Sequence, residues 1–259
     1  MNNALIGYTG FVGSNLLSQR PFESLYNSKN INEMSLGSFD DVICAGVSAV
    51  KWIANKDPDT DKNNIDSLKN ILKTIKAKRF ILISTVDVYP IMKNGDESFD
   101  CSSVDNHAYG SHRLEFEEFC KNNFENCYII RLPGLFGAGL KKNVIYDLLN
   151  NNCLEMINDK SSFQYYYLKN LWSDIENVLK NDIKLVNFFT EPVPTKEIIE
   201  KYFPDVKVGD NASATIHYDL HTKNGTLRNL EGNYLYSQEE VIGQLDEFIK
   251  NYQVEMSWN

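Results

Sequence analysis

The chain has 259 residues, of which 42% are hydrophobic and 24% charged, so it has the composition of a folded globular protein and the length of one large α/β domain. The formal net charge of −9 argues against a nucleic-acid or anionic-membrane partner, because those partners require clustered Lys and Arg. The five cysteines form no CxxC pair, which predicts neither a metal site nor a disulfide framework. No apolar run approaches the ~20 residues of a membrane span, so we expect a cytoplasmic protein.

Short apolar runs alternate with helical patterns in the first part of the chain, as in parallel strands joined by helical crossovers. Strands are predicted at 4–7, 24–27, 41–45, 79–84 and 127–132. Helices are predicted at 11–19, along the apolar stripe of 65–75, and at 109–122. The DPDTD stretch, 57–61, is interpreted as a loop that approaches a helix and not as a metal site.

The pattern becomes less regular after Gly137, where we place a domain boundary. A capping box of Ser237 and Glu240 marks the start of the last helix. We therefore predict an α/β fold, with a Rossmann-type doubly wound parallel sheet in a dinucleotide-binding domain, 1–137. The mixed region 138–259 is expected to complete the sheet and to form a small substrate cap. Its other predicted elements are helices at 143–150 and 195–202 and strands at 184–190 and 215–218.

Three glycines directly follow the first predicted strand and open the first helix. Gly7, Gly10 and Gly13 are spaced GxxGxxG. The N-terminus of a helix attracts a pyrophosphate through its free N–H groups and its dipole, and glycines let that ligand approach. The spacing in this context predicts a dinucleotide site, and the competing interpretation is a tight strand–helix turn without a ligand.

The end of the second predicted strand indicates which dinucleotide would bind. An acidic residue usually binds the adenosine ribose there, but YNSKN, 26–30, contains no acid. Ser28 or Lys29 can instead meet a 2′-phosphate, which favours NADP over NAD. The alternative is that Lys29 is only a solvated surface residue.

A candidate acid–base group follows the most apolar predicted strand. Thr85 lies at the end of that strand, and Tyr109 and Arg113 are four positions apart on one helix face. Hydride transfer to a carbonyl needs a proton donor, and a Tyr hydroxyl serves if a nearby cation lowers its pKa. Spacing alone favours a plainer interpretation, a half-buried Tyr beside a surface Arg. His107 and His112 are interpreted as structural or exposed.

Six segments from Ala4 to about Ile198 occur in the order of a known family: GYTGFVGSNLL, CAGVSAVKWIANKDPDTDKNNI, ISTVDVYP, YGSHR, RLPGLFG and VNFFTEPVPTKEII. The chain resembles the extended short-chain dehydrogenase/reductases, the group of nucleotide-sugar epimerases, 4,6-dehydratases and dTDP-4-dehydrorhamnose reductase. The resemblance implies that Tyr109 is the acid/base, that Thr85 holds the same oxygen, and that Arg113 binds the ribose and lowers the pKa of Tyr109. It implies cofactor contacts at Gly7, Thr9, Gly10, Phe11, Val12, Gly13, Ser28, Lys29, Ala45, Gly46, Asn64, Ser84 and Pro133. It implies substrate contacts at Asp87, Gly134, Lys141, Lys142 and Asn143.

The chain departs from the family pattern at several positions. Arg113 replaces the motif Lys, Gly134 replaces an Asn that often touches the substrate diphosphate, and Val86 replaces an acid of the dehydratases. The resemblance therefore implies a compact NAD(P)-dependent keto-sugar reductase or 4-epimerase that acts on a nucleotide-linked sugar. Dimers are common among the proteins that the chain resembles, so a homodimer is one assembly that the resemblance implies. The alternative, motivated by Arg113, is a family member that binds NAD(P) without turnover and acts as a sensor or scaffold.

Overall fold

The computed structural model describes residues 2–228 and 232–257. The strands are β1 Asn3–Ile6, β2 Ser24–Tyr26, β3 Ser38–Cys44, β4 Lys76–Thr85, β5 Cys127–Leu132, β6 Gly134–Phe136, β7 Ser162–Phe163, β8 Tyr165–Tyr167, β9 Leu185–Asn187 and β10 Val193–Pro194. The helices are α1 Phe11–Gln19, α2 Lys51–Lys56, α3 Pro58–Leu72, α4 Ala108–Asn123, α5 Val144–Asn150, α6 Leu171–Lys180, α7 Thr195–Tyr202 and α8 Gln238–Ser257. Within these residues, no helix is both long and apolar enough to cross a bilayer.

The chain divides into two compact units, and the first contains a six-stranded sheet. This unit comprises Met1–Ile91, Glu97–Leu132 and Lys169–Asn187. Its strands are all parallel, in the order β2-β1-β3-β4-β5-β9. The predicted Rossmann-type sheet is therefore confirmed. Because β1 pairs with β2 on one side and β3 on the other, the winding reverses between β1 and β3, which is where such sheets bind ligands at the carboxyl ends of their strands.

Apolar strands and amphipathic helices explain this unit. In β4 the segment Phe80, Ile81 and Leu82 is at most 1% exposed, as expected of a strand covered on both faces. The apolar stripe of α3 and the apolar side of α4 pack on one face of the sheet, where Phe80 stacks on Phe124 with ring centroids 4.0 Å apart. Helices α1 and α6 contact each other, and Arg20 lies 4.0 Å from the ring centroid of Trp172.

The second unit is formed by Met92–Asp96, Pro133–Leu168 and Phe188–Asn259. Within it, β6 pairs with β8 in parallel and β10 pairs with β7 in antiparallel fashion. The expected capping box is present at the start of α8, because Glu240 N donates to Ser237 Oγ at 3.2 Å and Ser237 N donates to Glu240 Oε2 at 2.8 Å.

Several predicted elements differ from the structure. Residues 215–218 form no strand, because pairing is limited to a single bridge between Ser162 and His217. The predicted strand 184–190 is shortened to β9, since the residues after Asn187 belong to the second unit. The DPDTD stretch is largely helical, because Asp57 caps α3 by accepting from Thr60 N at 3.1 Å. The chain passes from the first unit to the second after Leu132, a few residues before the boundary that we placed at Gly137, and it returns to the first unit over Lys169–Asn187.

Candidate active site

The first strand ends in a turn that only glycine can make. Gly7 has a φ of +87°, and its N–H donates to Tyr26 O at 2.7 Å. A Cβ on Gly7 would lie 2.4 Å from Ala45 O and 2.7 Å from the Cα of Gly46. The absence of a side chain therefore lets the ends of β1 and β3 approach each other at the point where the winding of the sheet reverses.

The helix that follows presents unpaired amides to this crevice. The first bond of α1 runs from Ser14 N to Gly10 O at 2.8 Å, so the amides of Phe11, Val12 and Gly13 precede any intrahelical acceptor. Gly10 provides no side-chain cap, and the first turn contains no acid. A Cβ on Gly13 would lie 2.1 Å from Gly7 O, so Gly13 is required for packing of the helix on the turn. A dinucleotide pyrophosphate fits this cradle, which combines open backbone donors with the positive end of a helix.

The other residues expected at the cofactor lie in several different places. Thr9, Ser28 and Lys29 are exposed in the turns that follow β1 and β2, and Ala45 N donates to Ile6 O at 2.9 Å at the end of β3. The expectation for Ser84 needs correction, because its hydroxyl is 2.5 Å from Glu117 Oε1 and donates to that buried carboxylate. Asn64 is exposed on α3, and Pro133 belongs to the second unit.

The predicted catalytic hydroxyls come together at the carboxyl end of β4. Thr85 is the last residue of that strand, and Asp87 follows in the 3₁₀ turn Val86–Val88. Asp87 N donates to Thr85 Oγ1 at 3.2 Å, and Thr85 Oγ1 lies 3.4 Å from Asp87 Oδ2. Tyr109, in the first turn of α4, is only 6% exposed, and the nearby Thr85 side chain acts to lower its pKa. The pair of hydroxyls thus lies beside a carboxylate.

Local contacts hold the start of α4 against the turn after β4. A Cβ on Gly110 would lie 2.2 Å from Asp87 O, so this glycine permits the close approach. Asn106 Nδ2 donates to Asp87 O at 2.8 Å, and Gly110 N donates to His107 Nδ1 at 3.0 Å. His107 therefore caps the helix, which agrees with its structural interpretation. Helix α2 is joined to the same place, because Tyr109 N donates to Asn55 Oδ1 at 2.9 Å.

Arg113, at the position of the motif Lys, lies in a buried ion pair. Its Nη2 donates to Asp61 Oδ1 at 2.8 Å and to Ser48 O at 2.7 Å, and its Nη1 donates to Asp61 Oδ2 at 2.5 Å. Its guanidinium carbon lies 3.8 Å from the ring centroid of Tyr109. Burial raises the pKa of Asp61, but bonds from Arg113 and His112 outweigh this effect and hold that pKa below its usual value. The guanidinium is thus committed to Asp61 and to the Tyr109 ring.

The protonation state of Tyr109 follows from this environment. Burial raises the pKa of Tyr109 above its usual value, Arg113 and the Thr85 side chain act to lower it, and the charges of Asp87 and Asp61 act to raise it further. The net effect is a raised pKa. The expected lowering by Arg113 is therefore present but is outweighed by burial, and the hydroxyl carries its proton at neutral pH.

A second buried ion pair supports the same strands from the interior of the sheet. Arg131 in β5 bonds Glu117 of α4 at 2.6 Å, and their side chains are 4% and 0% exposed. Arg131 Nη1 also donates to Tyr89 OH at 3.0 Å, and burial raises the pKa of Tyr89 to about 12. This network fixes α4 to β5, so that the helix that carries Tyr109 has a defined position.

Four of the expected substrate residues, Gly134, Lys141, Lys142 and Asn143, belong to the second unit. A Cβ on Gly134 would lie 2.9 Å from Gln164 O, so pairing of β6 with β8 leaves no space for the family Asn. Asn143 is used structurally, because it caps α5 by accepting from Tyr146 N at 3.1 Å and donates to Leu135 O at 2.8 Å. Lys141 and Lys142 are exposed.

The side chains around Tyr109 form a cluster, which consists of Lys51, Asp61, Thr85, Asp87, His107, Tyr109 and Arg113. Two of its charged residues were not identified from the sequence. Asp61 lies four positions before Ile65 and therefore on the buried stripe of α3, which could have indicated a buried carboxylate that requires a cation. Lys51 Nζ lies 2.5 Å from Asp87 Oδ1, and nothing in the local sequence of α2 distinguishes it from the other surface lysines.

Comparisons with known proteins bear on the fold and on the family. No curated protein sequence matches the chain. Among solved structures, a dTDP-4-dehydrorhamnose reductase from Clostridium acetobutylicum has 18% identity and a TM-score of 0.73, covering 98% of this chain and 100% of that chain. A UDP-N-acetylglucosamine 4-epimerase from Methanobrevibacter ruminantium, in complex with UDP-N-acetylmuramic acid, has 15% identity and a TM-score of 0.72, covering 98% of each chain. A dTDP-4-dehydrorhamnose reductase from Bacillus anthracis, in complex with NADP, has 14% identity and a TM-score of 0.71, covering 96% of this chain and 97% of that chain.

These structural likenesses show the fold, and a family model shows the family. The model of the NAD dependent epimerase/dehydratase family matches residues 25–164, which is more than half of the chain. The match confirms the resemblance seen in the order of the sequence motifs. The chain belongs to the NAD dependent epimerase/dehydratase family.

Proposed function

We propose that the protein is an NAD(P)-dependent oxidoreductase of a nucleotide-linked sugar, acting as a keto-sugar reductase or 4-epimerase. The observation that carries the proposal is the Thr85–Tyr109 hydroxyl pair, which lies at the same edge of the sheet as the glycine cradle. The names of the structural relatives, two of them dTDP-4-dehydrorhamnose reductases and one a UDP-N-acetylglucosamine 4-epimerase, support the substrate class.

The residues of the chain divide the work as follows. The amides of Phe11, Val12 and Gly13 would hold the pyrophosphate of a nicotinamide dinucleotide, which would supply the hydride for the keto carbon. Tyr109 gives its hydroxyl proton to the carbonyl oxygen as that oxygen gains negative charge. Thr85 donates a hydrogen bond to the same oxygen and orients it. The alcohol product then leaves, and Tyr109 recovers a proton from solvent.

Two of the three structural relatives reported above are reductases, and a tyrosine that retains its proton suits the proton donor that a reductase needs. A reductase needs only a proton donor, and a buried tyrosine with a raised pKa retains its proton. A 4-epimerase must first remove a proton from the sugar hydroxyl, and that step needs a tyrosine that ionises readily. We therefore propose dTDP-4-dehydrorhamnose or a similar nucleotide-linked keto sugar as the substrate to test first.

The test is the substitution Tyr109→Phe, assayed as oxidation of NADPH or NADH with dTDP-4-dehydrorhamnose. Loss of the proton donor should lower kcat by roughly 10³-fold and leave the cofactor Kd within about twofold of wild type. The matched control is Tyr252→Phe, which also removes one hydroxyl, bonded to Asn150 at 3.0 Å, but in the second unit. A Tyr109→Phe protein with full turnover would refute the mechanism.

A second candidate function is favoured by the buried Arg113. We propose it as the alternative: a family member that binds NAD(P) and serves as a sensor or scaffold without turnover. The guanidinium that replaces the motif Lys is paired with Asp61, and because a guanidinium does not give up its proton, it cannot relay protons to the ribose or to Tyr109. Tight NADPH binding in a wild type that reduces no nucleotide-linked keto sugar, with activity gained in Arg113→Lys, would support this candidate.

A further inference from the structure

Helix α2 places a lysine at the reacting edge of the sheet. Lys51 Nζ lies 2.5 Å from Asp87 Oδ1, and the two side chains are 40% and 16% exposed. The same carboxyl group lies beside Thr85 Oγ1 at 3.4 Å and beside His107 Nε2 at 3.8 Å. Lys51 is therefore joined through one carboxylate to both the catalytic hydroxyl and the cap of α4.

Arg113, the other cation at this site, is not joined to the hydroxyl of Thr85 in this way. Arg113 is 5% exposed at its side chain and makes a two-pronged bond to Asp61, so its charge is already compensated. Lys51 differs because its carboxylate partner lies among the catalytic groups and its ammonium remains accessible to solvent. The site thus holds one buried pair, in which only Arg113 Nε lacks a hydrogen-bond partner among the guanidinium nitrogens, and one partly exposed pair near the hydroxyls.

We propose that Lys51 is a positioning residue that governs, through Asp87, the protonation of Tyr109 and His107, in place of the lysine that the family motif carries at position 113. The expected effect on catalysis rests on the proposed function. The expected effect on the pKa of His107 rests only on the contact between Lys51 and Asp87. With Lys51 present, the charge of Asp87 is balanced and its carboxylate is held beside Thr85. Without Lys51, the charge acts unbalanced on its neighbours.

The charges that face these two groups come from four segments. Tyr109 is influenced by Arg113 on its own helix, by Asp87 after β4 and by Asp61 on α3. His107 has its pKa lowered by burial and by Lys51 of α2, and raised by Asp87, while Arg113 also lowers it. Removal of Lys51 eliminates a lowering influence on His107 and unmasks the raising influence of Asp87. The pKa of His107 should therefore rise, and the pKa of Tyr109 should rise with it.

The experiment compares Lys51→Met, Lys51→Arg and the control Lys56→Met in the full chain. Lys56 is an exposed lysine at the other end of the same short helix and touches none of the catalytic groups described above. The first readout needs no activity: NMR titration of the His107 imidazole, assigned by the signal missing from His107→Asn. The second is the pH profile of kcat for keto-sugar reduction.

In Lys51→Met, we expect the His107 pKa and the alkaline limb of the kcat profile to move up by about half to one pH unit, and kcat at neutral pH to fall roughly fivefold. Lys51→Arg should restore both, and Lys56→Met should match wild type. Equal His107 titrations in Lys51→Met and Lys56→Met would overturn the proposal. A wild type that reduces no keto sugar overturns the proposed function instead, and the His107 titration then still decides whether Lys51 controls this cluster.

Discussion

The glycine turn and the catalytic cluster lie at the same edge of the sheet but are built in different ways. The turn is made by backbone within the short range from Gly7 to Gly13, and missing Cβ atoms provide its close approaches. The cluster is made by side chains from α2, α3, α4 and the turn after β4. Substitutions in the turn are therefore limited by the space for a side chain, whereas substitutions in the cluster are limited by the balance of its charges.

The two ion pairs of the cluster extend the contrast. Arg113 and Asp61 are 5% and 7% exposed, so their pair is structural and either partner alone would leave a buried charge. Lys51 and Asp87 are 40% and 16% exposed, so their pair remains accessible to solvent. The two pairs therefore differ in burial, and the proposed role of Lys51 depends on that difference.

The largest effect is expected from Asp61→Asn, because it leaves the Arg113 guanidinium buried without its counter-ion. The free energy of unfolding should fall by roughly 3 kcal/mol. Chemical denaturation with urea provides the measurement, and Asp59→Asn, an exposed acid in the same first turn of α3, is the control. Equal stability in the two variants would show that the buried pair does not stabilise the fold.

The same substitution has a pH signature. The pKa of Asp61 is lowered in the folded protein, so the stability it contributes is present above the unfolded pKa, about 3.9, and is lost as the pH falls through the folded pKa. The stability difference between wild type and Asp61→Asn should accordingly be largest at neutral pH and shrink in acid. A difference that does not vary with pH would contradict the ionic origin of the effect.

The turn is tested by two matched substitutions that separate space from ligand binding. In Gly13→Ala the new Cβ would lie 2.1 Å from Gly7 O, so the backbone must shift and stability should fall by about 1–3 kcal/mol. In Gly10→Ala the corresponding distance is 3.3 Å, so the loss should stay below about 1 kcal/mol. Gly10→Ala should nevertheless weaken NADPH binding at least about tenfold, because the methyl group obstructs the pyrophosphate. Unchanged affinity would show that no anion lies at this turn.

The smallest effect is expected at Lys29, which is exposed in the turn after β2. If Lys29 meets the 2′-phosphate, Lys29→Ala should weaken NADPH binding roughly threefold to tenfold and leave NADH binding unchanged, because a solvated charge contributes little. Lys76→Ala, at the amino end of β4, is the control. Equal loss of affinity for both cofactors would argue against a role in NADP selection.

Local sequence predicted the strands and helices of the first unit well, because their signals are contained in short segments. The bounds of α1 agree with the prediction, and the strand at 79–84 lies within β4. The strand expected at 215–218 is absent, because a strand needs pairing along several residues and this segment pairs through the single bridge of His217 with Ser162. The short α2 was not predicted, because six residues carry too little periodicity to be recognised.

The amino-acid sequence by itself determined the glycine turn, the order of the motifs and the pairing of Thr85 with Tyr109, because each depends on spacing along the chain or on the common end of parallel strands. Only the tertiary structure decided the partners of the charged groups. Arg113 and Asp61 are far apart in sequence, as are Lys51 and Asp87, and residue type alone does not select one carboxylate for each cation. Their pairing follows from where α2, α3 and α4 pack around the sheet, and burial there determines which charge is fixed and which can respond.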